Sequence, residues 1–152
     1  MSNIRVTEVA STIPFDNDTN GFSATDVQTA IEEIGASASP GFSFGRSGTS
    51  NAGTYLQVDS VPSNQSGRIV PLQSGQITNV FISCQNAATF TIEIQKRVGN
   101  TFNTIYTETV TGLRKKTSSV SGVSVSLNDE LCCKVGSGSA SNIIVGLIIK
   151  GT

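Results

Sequence analysis

Beyond residue 40 the chain carries five carboxylates: Asp59, Glu93, Glu108, Asp129 and Glu130. Two carboxylates flanking a glycosidic bond can hydrolyse it, one as acid and the other as base or nucleophile. Glu93 and Glu108 are the candidates. Gly99-Asn100, lying between two β-rich runs, has the composition of a two-residue hairpin turn that would bring them across from each other. Both fall on the polar phase of their strands, however, where a carboxylate is an outward, solubilising side chain. A serine nucleophile needs an activating base. The sequence has no histidine, which leaves only lysine, and no serine-lysine signature is evident. The reading is a non-enzyme without catalytic residues.

Binding chemistry is equally thin. Asp16-Asn17-Asp18 could open a calcium loop, but the later glycine and distal glutamate of such a loop are missing, so turn and capping chemistry is expected. Cys84, Cys132 and Cys133 are odd in number and lack C-x-x-C spacing, so neither a metal site nor a disulfide framework follows. Neighbouring residues of a strand point to opposite faces, so only one of Cys132 and Cys133 is expected in the core; a bridge from Cys84 to one of them stays open. Arg114-Lys115-Lys116 could hold phosphate or a polyanionic glycan, yet without interleaved aromatics it reads as a solvated basic loop. Tyr55, Phe42 and Phe44 are either a sugar-stacking platform or core, and core is the commoner use. No cofactor and no metal are expected.

The elements that must position these residues divide near residue 40. Residues 1–22 form an extended arm in which Ile4, Val6, Val9, Ile13 and Phe15 supply apolar contacts, while Pro14 and the Asp16-Asn17-Asp18 run force a turn. So little apolar area implies order by contact with a neighbour. Residues 23–35 predict a short helix. Val27, Ala30, Ile31 and Ile34 recur at i, i+3, i+4, i+7, with Ser23 or Thr25 as N-cap, Asp26 in the first turn and Gly35 as stop. About three turns are marginal alone in water, so the helix needs a partner. Its narrow seam fits either the domain that follows or copies of itself. Residues 36–40 are a linker by composition.

From Gly41 to Thr152 the period changes to two. Runs at Tyr55–Val58, Ile77–Cys84, 90–95, Phe102–Val110, 123–127, 131–135 and 143–149 read as strands, with 136–142 as a small-residue loop. Eight or nine short strands without intervening helices predict a mainly β fold, an antiparallel β-sandwich that is jelly-roll-like if the count is eight. In the last strand Ile144, Gly146 and Ile148 oppose Ile143, Val145, Leu147 and Ile149, so that strand is either central or has one face in a subunit interface.

Charge follows the same division. Of the 152 residues, 1–39 hold one base and six acids, net −5, and 40–152 hold nine bases and five acids, net +4, which together give the overall −1. An acidic arm beside a mildly basic domain can choose a surface by complementary potential. The balanced total suggests no nucleic-acid partner. No stretch is long enough to span a bilayer. Met1 to Ala10 lacks an apolar leader core, so work outside a cell would require lysis or incorporation in a particle.

The string Ile13-Pro14-Phe15-Asp16-Asn17, followed by Asn20-Gly21-Phe22-Ser23-Ala24-Thr25-Asp26-Val27-Gln28-Thr29-Ala30-Ile31-Glu32-Glu33-Ile34, resembles a segment that recurs in bacteriophage fibre and head-decoration proteins. The resemblance covers about a quarter of the chain. It implies a linker and self-associating helix ahead of a β-rich trimeric head. On that basis the expected protein is a virion structural protein, a homotrimer whose arm grips another virion protein such as the major capsid or a fibre or baseplate protein. The alternative is the tip of a tail fibre that recognises host surface glycan.

Overall fold

The computed structural model describes residues 13–14, 24–31, 41–65, 68–71 and 73–151, in two units, Met1–Ala38 and Ser39–Thr152. Ile4, Val6, Val9 and Phe15 of the arm, Ile34 of the seam, and the 36–40 linker lie outside the described residues.

In the first unit residues 27–31 are helical. The cap is Asp26, a correction to the expected Ser23 or Thr25. The Thr29 amide donates to Asp26 Oδ1 at 2.9 Å and the Thr29 hydroxyl to Oδ2 at 2.8 Å. A carboxylate brings two acceptors and a negative charge to the free amides of a first turn, so it outcompetes a neighbouring hydroxyl. Those bonds, the Thr29 amide foremost, hold the Asp26 carboxyl below its ordinary pKa. The Val27 amide donates to the Ile13 carbonyl at 3.0 Å. Ala30 is buried, Val27 is half-buried, and Ile31 is left 57% exposed.

The second unit is mainly β, one antiparallel sheet. Its strands are β1 (Gly41–Asn51), β2 (Gln57–Val58), β3 (Val61–Pro62), β4 (Gly75–Val98), β5 (Thr101–Ser119), β6 (Ser124–Val125) and β7 (Leu131–Gly151). They lie in the order β3-β2-β1-β7-β4-β5, with β6 also on β4. Instead of many short strands there are three long ones, because segments expected to be loops continue the ladder. Arg114-Lys115-Lys116 is strand, with Lys115 opposite Ser83 and Lys116 opposite Ile82. Residues 136–142 lie inside β7. In contrast, the 55–58 and 123–127 runs shrink to two-residue strands.

The sheet turns a corner where those mistaken loops lie. There β4 carries extra residues between Ser83 and Ala88 relative to β5, and β1, β5 and β7 each contain left-handed backbone: Gly48 (φ 73°), Gly112 (φ 62°), Gly138 (φ 69°) and Asn142 (φ 52°). Bending every strand of a sheet along one line needs a bulge or a left-handed residue in each, which is why Gly and Asn cluster there in β1, β5 and β7. Side chains stitch the corner: Asn142 Oδ1 accepts from the Gly48 amide at 2.7 Å while its Nδ2 donates to Gln85 Oε1 at 2.8 Å.

Side chains from both limbs of the bent sheet, Ile82, Val145 and Leu147 from one and Ile92, Ile94 and Val135 from the other, belong to one buried cluster. Their removal from water is the main stabilising term. A bulge at Thr78 keeps Ile77 and Val80 on the same face although they are three residues apart: Ile77 pairs with Ile149 but Asn79 with Ile148. Along its far half β7 is completed by short segments. The Leu56 amide donates to the Cys133 carbonyl (2.8 Å), and Ile69 and Leu131 exchange both bonds at 3.0 and 2.8 Å. Between them the buried Ser63 hydroxyl stands in for backbone, accepting from the Cys133 amide and donating to its carbonyl, both at 3.2 Å. Ser63→Ala is expected to lower unfolding free energy by about 1–3 kcal/mol, since it leaves a buried amide unpaired; a denaturation midpoint unchanged from wild type would refute this.

Candidate functional site

The Gly99-Asn100 hairpin forms as expected: Val98 pairs with Thr101, and Gly99 has φ 61°. That turn pairs Gln95 with Thr104, but one step further Ile94 pairs with Tyr106, so Ile105 is an extra residue in β5. A shift of one residue moves every later side chain to the other face. Glu108 therefore stands opposite Ile92 on the core side, and Glu93 alone remains on the outer face. The expectation that both point to solvent is corrected by this bulge. Two carboxylates on opposite faces of a sheet cannot flank one glycosidic bond.

Each carboxylate has its own partners. Glu108 lies where the two limbs of β5 approach, its side chain 12% exposed, with Lys116 Nζ at 2.6 Å from Oε1 and the Tyr106 hydroxyl donating to Oε2. Burial by itself would raise its pKa, but bonds from Lys116, Tyr106 and Ser118 outweigh that and bring it down to about 2. Burial and the bond to Glu108 push the Tyr106 phenol up to about 12. No motif marks this cluster. Its one sequence signal is the recurrence of polar residues at 106, 108, 116 and 118, which only the bulge and the corner bring together.

On the outer face a second network spans β4, β5 and β7. Glu93 Oε2 accepts from Lys134 Nζ (3.1 Å), from the Thr104 hydroxyl (3.0 Å) and from Gln95 Nε2 (3.2 Å). Desolvation opposes ionisation there, but the three bonds prevail and hold the carboxyl below its ordinary pKa. Tyr55 covers the network, its hydroxyl donating to Gln95 Oε1 at 3.1 Å. Next along the strands Glu130 takes Arg97 at 2.9 Å and Arg68 at 3.3 Å, and the Arg68 guanidinium lies 5.8 Å from the centre of the Phe102 ring. A general acid needs a raised pKa, whereas Glu93, Glu108 and Glu130 are all lowered.

This covering layer also corrects the cysteines. Cys133 enters the core, and Cys132, on the opposite face under Gln95, is fully buried as well. Alternation across the strand holds; both faces are simply covered. Burial pushes the Cys132 thiol up to about 12 and raises Cys133 well above its ordinary value, so neither is a thiolate nucleophile near neutrality. All three cysteines are free thiols, which closes the bridge left open from Cys84. Among the described residues no group of three metal-ligating side chains converges, and no helix is long and apolar enough to cross a membrane.

The aromatic residues separate. Phe44 is fully buried and Phe42 packs against the core cluster, while Tyr55 leans on Phe102 with ring centres 6.4 Å apart. They form no common platform. Among the described residues the exposed large aromatic is Phe81, 41% accessible on the outer face of β4. Its ring occupies the space above Gly146, where an added Cβ would lie 1.8 Å from a ring carbon. Ile144, 48% exposed, lies on the same face of the adjacent strand, and Thr117 stands opposite Phe81. In the helical segment, Ala30 is enclosed and Ile31 faces out. No model of a known protein family matches this chain, and no curated protein sequence matches it.

Proposed function

We propose that this chain is a bacteriophage virion structural protein: a homotrimer anchored to the particle by its acidic N-terminal arm, through the major capsid or a fibre or baseplate protein. Its second unit, a jelly-roll-like sandwich, decorates or stabilises the surface. The observation that carries this reading is Ile31, a large apolar residue left exposed on the helical segment, within the string that resembles phage fibre and decoration proteins. An exposed isoleucine beside an enclosed alanine is the seam expected of a helix that meets copies of itself. The single buried cluster shared by both limbs of the sheet supports the sandwich. Trimeric avidity then multiplies weak single contacts.

Light scattering of the purified chain tests this directly. The wild type is expected at three times the 15.8 kDa chain mass. Ile31→Asp is expected at the monomer mass, because a charge enters a desolvated seam. A wild-type monomer, or an Ile31→Asp trimer, refutes the reading.

A second reading, the glycan-recognising tip of a tail fibre, is favoured by Phe81. It is an exposed ring with Thr117, Ser83 and Lys115 on the same face, and aromatic faces with hydroxyls and cations nearby suit sugars. Copy number on the particle discriminates: hundreds indicate surface decoration and a handful at the tail indicate adhesion.

A further inference from the structure

Among the described residues β5 is an edge of the sheet, hydrogen-bonded to β4. Of its residues only Val110 is buried, whereas β4 and β7 hold most of the core. It crosses the corner at Gly112, with φ 62° and open space where a side chain would be. Beneath that crossing lies Cys84, whose Sγ donates to the Asn86 carbonyl at 3.0 Å and has the Leu113 and Arg114 carbonyls at 3.6 Å. The two limbs of β5 are fastened to each other, not only to β4. Lys116 Nζ reaches back across the corner to Glu108 Oε1 at 2.6 Å and to the Thr109 carbonyl at 2.5 Å, and Tyr106 braces the same carboxylate.

We propose that β5 is a strap over the corner, fastened by the Lys116–Glu108–Tyr106 cluster, and that it opens as a unit of its own and uncovers the Cys84 thiol while the core stays closed. Of its own apolar side chains, lifting this edge strand exposes Val110 and the partly buried Phe102, Ile105 and Tyr106. Opening the rest would expose the shared cluster of both limbs. Segments with few buried apolar contacts open at lower free energy than the whole, and here the fastening ions add to the β4–β5 ladder that holds the strap. Cys133, inside the core, reports the alternative event of global unfolding.

Iodoacetamide labelling of the native full-length chain, followed by mass spectrometry of each cysteine-containing peptide, reads both events in one molecule. In the wild type Cys84 is expected to label faster than Cys133. Lys116→Met is expected to speed Cys84 by about tenfold, the scale of one lost charged hydrogen bond, and to leave Cys133 unchanged. Tyr106→Phe removes a single hydroxyl and is expected to give a smaller rise, again confined to Cys84; it carries the test if Lys116→Met loses its circular dichroism spectrum. A common labelling rate for Cys84 and Cys133 in the wild type, or a folded variant that accelerates both equally or neither, overturns the proposal.

Discussion

Gly138→Ala is expected to destabilise the sheet by about 3 kcal/mol or more, through left-handed strain of about 1–2 kcal/mol and an overpacking cost of similar size. Gly138 has φ 69°, and a Cβ there would lie 2.4 Å from the Thr89 carbonyl oxygen and 3.0 Å from Phe90 Cα. Those atoms belong to the backbone of β4, paired with β7 at this point, so they cannot swing aside as a side-chain tip could. Gly99→Ala is the matched comparison. Gly99 has a similar φ of 61° but nothing within 4 Å of the added carbon, so only the strain of about 1 kcal/mol applies. Urea denaturation of both variants separates the two contributions. Equal losses would mean that the close approach of β4 and β7 at the corner costs nothing to disturb.

Acidification is expected to remove about 2–3 kcal/mol of stability through Glu108 alone, in a window set by its folded and unfolded pKa values. In the folded protein the carboxyl titrates at about 2 against an ordinary 4.5. A depressed carboxylate stabilises fully above the unfolded value, and the contribution is lost as pH falls from 4.5 toward 2. Asp26, Glu93 and Glu130 are also lowered, so the whole protein loses stability in the same direction. The diagnostic quantity is therefore the difference between wild type and Glu108→Gln. That difference should be largest near neutrality and close by pH 2. A gap that does not narrow on acidification would place Glu108 outside the cluster with Lys116 and Tyr106.

Much of the second unit was legible from alternation and turn residues. Ile92 and Ile94, Val145 and Leu147, and the Gly99-Asn100 turn needed only a period of two and a turn that tolerates positive φ. Phe81 on the face opposite Val80 and Ile82 followed from the same rule. What misled was local polarity. The 136–142 stretch has loop composition, yet glycine and asparagine are there because β7 must take left-handed backbone in mid-strand. The basic triplet has loop composition as well, but Lys116 points inward because Glu108 waits across the corner. The helix cap fell on Asp26 instead of Ser23 or Thr25 because capping is a contest between neighbouring acceptors that spacing does not rank.

The order of residues determined which side chains alternate, where the period changes near residue 40, and that catalytic histidine chemistry is absent. It could not determine which face Glu108 takes, that Cys132 is covered, or that four strands run through a corner. Each of those depends on a register shift or on a segment arriving from elsewhere in the chain: Ile105 as an extra residue in β5, and the Tyr55 and Ser63 region laid along β7. A bulge leaves little trace in composition, because its stabilisation comes from partners far away in sequence, and the parity of every residue beyond it follows from those partners.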